Sequence, residues 1–156
     1  MIRPSRHHAF FEGRWFVCDD YPLPNRPQTA ILLDHVHRES DWYPAPGFTE
    51  GASSTDIYIR TIDESLVEAR MKVTTTCSFR GGGPFTVVSL SGVDPVLAFL
   101  SYTGADWDWA ERLPTFERFT NYDFFGSGVF GTAAVAELTD IREETEPIPT
   151  HYDAQR

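Results

Sequence analysis

Lysine is almost missing from this 156-residue chain: Lys72 stands alone beside twelve arginines. The 13 basic residues face 23 acidic ones, and the formal charge is −10. A phosphate backbone is repelled by such a chain, so no nucleic-acid partner is expected. Cysteine is scarce too. Cys18 and Cys77 are too few for a disulfide framework, and without a CxxC pair or a Cys/His cluster no structural zinc site is expected. No apolar run approaches the roughly 18 residues of a spanning helix, and Met1–Phe11 lacks a signal-peptide apolar core. The expectation is a cytoplasmic protein with no membrane partner. Gly-x-Ser-x-Gly, phosphate-loop and dinucleotide patterns are all missing, and Gly81–Gly83 lacks the lysine and the helix that a phosphate cradle requires. No cofactor is therefore expected.

What is present is apolar and aromatic: 41% hydrophobic residues, with four Trp, six Tyr and twelve Phe, enough for one core. Period-two alternation runs from end to end, broken by Gly, Pro, Asn and Asp clusters. Between residues 66 and 79, Val67, Ala69, Met71, Val73, Thr75, Cys77 and Phe79 share one face, while Glu68, Arg70 and Lys72 alternate on a face read as solvated. Strands are expected at about 10–18, 28–37, 55–62, 66–79, 85–91, 96–103, 115–124 and 129–141, with no internal repeat. The three prolines of residues 21–27 make a loop. Asp106 or Asp108 caps a helical turn at Trp109–Arg112. The expected fold is all-β: an eight-stranded antiparallel up-and-down barrel over residues 1–142 with a central small-molecule cavity, followed by an acidic, flexible tail at 143–156.

Gly13-x-Trp15, just ahead of the barrel strands, resembles the Gly-x-Trp signature of lipocalins and the wider calycin group. The resemblance implies a small-molecule-binding barrel, in some branches a cofactor-free enzyme, in which Trp15 plugs the closed end against Arg142. Two departures stand out. Pro147 and Pro149 interrupt the tail where that family has a helix, and its Thr-Asp-Tyr element is only echoed by Asn121-Tyr122-Asp123.

Several polar positions carry potential chemistry. His35 and His37 project to one face of a strand, with Asp41 beyond them. They are read first as solvated or structural, second as general acid and base, third as a cupin-like metal pair short of its third histidine. Tyr58 and Arg60 also share a face; turned inward they hold a carboxylate or polarise a carbonyl, turned outward Arg60 pairs with Glu68 or Asp56. Arg118 lies between Phe116 and Tyr122 on an aromatic face and is read as an inward arginine whose partner is either a ligand anion or, for a barrel-plugging arginine, a carboxylate of the chain. Trp15, Trp42, Arg60, Tyr102, Trp107, Trp109 and Tyr122 complete the candidate substrate walls.

These features point first to a cofactor-independent cyclase, isomerase or lyase of specialised, polyketide-type metabolism. It folds an apolar substrate in the barrel, with His35, His37, Tyr58 and Arg118 as catalysts. The alternative is a non-catalytic carrier of a hydrophobic ligand; the third is a metal-dependent barrel using His35 and His37. The expected partners are a hydrophobic small molecule and a second copy of the chain in a homodimer.

Overall fold

The structure is a computed structural model that describes residues 2–19, 29–34, 42–44, 58–92, 94–122 and 126–149. It is all-β and antiparallel. The strands are β1 (His7–Phe11), β2 (Arg14–Asp19), β3 (Thr29–Asp34), β4 (Tyr43–Pro44), β5 (Tyr58–Asp63), β6 (Ala69–Phe79), β7 (Gly82–Ser91), β8 (Leu97–Tyr102), β9 (Glu117–Tyr122), β10 (Gly126–Ala134) and β11 (Thr139–Ile148), with one α-helix, α1 (Trp107–Glu111), among the described residues.

The strands outnumber the eight expected for physical reasons. Residues 10–18 are not one strand: Glu12 and Gly13 both take positive φ (48° and 80°), and Phe11 faces Arg14 across a two-residue turn of the kind that matches strand twist. Residues 129–141 are split by a 3-10 turn at Val135–Glu137, after which β11 continues to Ile148, well past Arg142 where the domain was expected to end. β4 is a two-residue pairing on β5. The expected closed barrel is not formed. Hydrogen bonding runs β4-β5-β3-β2-β1-β6-β7-β8-β10-β9, with β11 also on β6, and no pairing joins the two ends among the described residues.

Two packing units emerge, and they repeat one topology. The N-terminal unit takes Arg6–Thr49, Ser54–Val73 and Thr145–Arg156; the C-terminal unit takes Met1–Ser5, Glu50–Ser53 and Thr74–Glu144. Strand β6 ends the first and begins the second. In the N-terminal unit the order is β4-β5-β3-β2-β1-β6; in the C-terminal unit it is β9-β10-β8-β7-β6-β11. These orders become identical when β1 through β6 are laid on β6 through β11. The hairpin at Phe11-Glu12-Gly13 recurs at Phe79-Arg80-Gly81, where the φ values are 53° and 76°. A 3-10 turn links β5 to β6 as another links β10 to β11, and its closing bond recurs as well: Val67 N–H to Glu64 O and Leu138 N–H to Val135 O, both 3.1 Å.

The register carries the repeat into the cores. Ala9 faces Phe16 as Cys77 faces Phe85; Cys18 faces Leu32 as Val87 faces Leu100; Ala30 faces Ile62 as Ala98 faces Ala133. Trp42, one residue before β4, matches Phe116, one residue before β9, and Val67 matches Leu138. Each unit thus buries its own apolar set at corresponding positions, the hydrophobic term that holds it together. The sheets curl to do so. A flat sheet holds β5 and β1 about 14 Å apart, beyond the reach of one side chain, yet the Arg60 guanidinium lies 4.9 Å from the centre of the Phe11 ring. In the other unit Phe116 reaches Phe79 and Phe85, with centroids at 6.0 and 5.6 Å.

Candidate functional site

Alternation assigns the inner face of the N-terminal unit: Ala9, Phe11, Phe16, Cys18, Ala30, Leu32 and Ile62 point into its core. On β5 the same face carries Tyr58 and Arg60, because Arg60 pairs with Leu32 and Ala30 with Ile62. The two residues are therefore turned inward, and Tyr58 packs on the core. Arg60 reaches across the curled sheet to lie over Phe11, and its Nη1 is 3.4 Å from Oε2 of Glu12, an exposed turn residue.

On β6, His7 pairs with Lys72 and Ala9 with Arg70, so Arg70 and Lys72 share the face of Ala9. The reading of Arg70 as solvated is overturned. Its side chain is 10% exposed and binds Glu64, 7% exposed, through two hydrogen bonds: Nε to Oε1 at 2.7 Å and Nη2 to Oε2 at 2.6 Å. Glu64 reaches this position because the 3-10 turn that Asp63 caps, by accepting the Ser65 N–H at 2.9 Å, brings the chain round from β5 to β6. Burial works against the Arg70 charge. The Glu64 hydrogen bonds and the neighbouring Cys18 outweigh it, and the guanidinium pKa lies above its ordinary value. His7 shifts the other way: burial, then the cations Arg70, Lys72 and Arg6, hold its pKa below the usual imidazole value.

The C-terminal unit is an internal control for this face. Register places Gly131 where Arg60 stands, since both face a β3/β8 leucine, Leu32 or Leu100. One residue pair further along, Val129 stands for Tyr58. Val87 stands for Cys18 and Val135 for Glu64, by the matching pairs and turns described above. One topology is thus built twice, with valine and glycine in one unit where the other has tyrosine, arginine, a thiol and Glu64.

The remaining candidates fall elsewhere. Trp42 is buried in the N-terminal core, with its ring centroid 5.3 Å from that of Phe16. Trp15 is not a buried plug. It alternates away from Phe16, is 38% exposed and packs on Phe10 at 5.2 Å. Arg118 pairs with Val129 and so shares the face of the buried Phe116 and Val129, but its side chain stands at an exposed rim, where it binds the carboxylates Asp108 at 2.8 Å and Glu111 at 3.2 Å and lies 5.4 Å from the Trp107 ring. Tyr102 and Trp109 fill the C-terminal core with Phe85, at 5.2 and 6.2 Å, and the Tyr102 hydroxyl oxygen accepts the Asp106 N–H. As expected, Asp106 caps the helix, accepting the Trp109 N–H at 3.0 Å. His35 and His37 lie outside the described residues, and of Tyr122 only the backbone is described. Among the described residues no three metal-ligating side chains cluster, and no helix is long and apolar enough to cross a membrane.

Reading the sequence alone missed His7, Cys18, Glu64 and Arg70. Glu64 and Arg70, six residues apart across a turn, were the available signal. No family model, curated protein or solved structure matches the chain.

Proposed function

We propose that the protein binds an apolar small molecule against the inner face of the N-terminal unit, with Tyr58 and Arg60 as its polar contacts. One observation carries the reading. At positions where the C-terminal unit has Val129 and Gly131, this unit places a phenol and a guanidinium on its core-lining face. A phenol and a guanidinium on a core-lining face where the matching unit has valine and glycine favour a binding role over a structural one. Phe11 and Trp42 supply aromatic surface, and Arg60 supplies planar donors that a ligand acceptor takes over from the exposed Glu12 carboxylate.

Binding without chemistry is the better-supported form of the proposal. Of the catalytic set expected from sequence, Arg118 is engaged by Asp108 and Glu111 on the surface of the C-terminal unit, so Tyr58 is the only described member on this inner face. A cyclase, isomerase or lyase reading rests on Tyr58 as proton donor and is separated by recovering the ligand: a carrier returns it unchanged.

Thermal-shift screening of aromatic small molecules tests the proposal. Arg60→Ala and Tyr58→Phe are expected to weaken a hit by about tenfold each, the worth of one good charged or polar contact. Tyr102→Phe, in the other unit, leaves it unchanged. Hits indifferent to both N-terminal substitutions would remove the reading.

A further inference from the structure

In a chain of net charge −10 the inner face of the N-terminal unit gathers Arg60, Arg70 and Lys72, beside the carboxylates of Glu64 and Asp34. Along one row of paired residues stand Arg60, Leu32, Cys18, then His7 and Lys72; the next row holds Arg70 behind Lys72. Glu64 answers Arg70 alone, through both of its oxygens. Lys72, the single lysine, is exposed, and no carboxylate pairs with it among the described residues. At the position of His7 the duplicated unit has Thr75, two residues before Cys77 as His7 is two before Ala9.

We infer that the ligand of this face carries an acidic group, a carboxylate or a phosphate, and that Lys72 and His7 receive it at the rim while its apolar body lies along the row towards Arg60. The inference rests on the small-molecule reading above and names the chemical class of its ligand. Lysine and a protonated imidazole are compact donors suited to an anion at an open edge, and Arg70, held rigid by Glu64, adds positive potential from behind. The groups that set the charge state of His7 are Arg70 and Lys72 on β6 and Arg6, the residue just before β1, and Arg70 in turn is held by Glu64 from the turn and lies beside Cys18 of β2. With the face empty, burial and the cations Arg70, Lys72 and Arg6 keep the imidazole neutral to lower pH than usual. A bound anion opposes that repulsion, so binding takes up a proton and tightens as pH falls.

Three fluorescent probes separate body from head: 2-naphthoate, 2-naphthyl phosphate and the neutral 2-naphthalenemethanol, titrated into wild type and Lys72→Gln. The expected result is that at least one anionic probe binds about tenfold more tightly than the alcohol, that Lys72→Gln erases the difference, and that only the anions gain affinity from pH 8 to pH 6. Which anion wins distinguishes carboxylate from phosphate. In parallel, inorganic phosphate alone is expected to raise the NMR titration midpoint of His7 in wild type and not in Lys72→Gln. Equal binding of alcohol and anions with an unmoved His7 overturns the acidic head and leaves the small-molecule reading standing. Failure of all three naphthyl probes with an unmoved His7 overturns both, and a His7 response that survives Lys72→Gln overturns the assignment to Lys72.

Discussion

Glu64 and Arg70 form a two-point ion pair with side chains 7% and 10% exposed, linked at 2.6 and 2.7 Å. Removing one member strands the other charge in a dry setting. Glu64→Gln is expected to destabilise the protein by about 3 kcal/mol in a denaturant titration. Glu64→Val with Arg70→Ile, which removes both charges together, is expected to recover most of that loss. A single mutant as stable as wild type, or a double mutant worse than the single, would contradict this account.

Cys77 lies in the C-terminal core, where burial pushes its thiol pKa from 9.0 up to about 11. The folded state therefore favours the neutral thiol. This contribution is full below the unfolded pKa and is lost as pH rises from 9 through 11. Stability measured by urea titration is expected to fall across that window, and Cys77→Val to flatten the fall. At neutral pH the native thiol resists a maleimide that labels the unfolded chain.

Gly131 sits on β10 with the Phe116 ring lying against its α-carbon, in the space that a Cβ would fill. Gly131→Ala is expected to cost roughly 1–3 kcal/mol through displacement of that ring, read as a lowered melting temperature. Wild-type stability in this variant would show that Phe116 moves without penalty.

Arg118 provides the contrasting case. Its partners Asp108 and Glu111 have side chains 80% and 46% exposed. Arg118→Gln is expected to change stability by less than about 1 kcal/mol and to leave ligand affinity as it was. A large loss of binding or turnover would restore Arg118 to the site.

Much of the β structure was legible from alternation. Met71, Val73, Thr75, Cys77 and Phe79 are buried in the order their spacing implies, because a strand sends alternate side chains to opposite faces. The hairpin inside residues 10–18 was not legible, since its turn, Glu12-Gly13, lies within apolar alternation and only the φ values reveal it. The duplication was hidden for a related reason. Matched positions share burial rather than identity, as Ala9 with Cys77 or Trp42 with Phe116, and only pairing register brings them together.

The site divides along the same line. Period two in the sequence places Tyr58 with Arg60 on one face, and His7 with Ala9, whatever the tertiary fold. Which face is enclosed is decided by the curl of the sheet, because alternation is symmetric and either side of a strand can be covered. Arg60 and Arg70 became part of an interior, whereas Arg118, although it shares the face of Val129, stands at an exposed rim beside Asp108 and Glu111. Local pattern determined the strands and the residues that share a side, while long-range pairing decided which side became an interior.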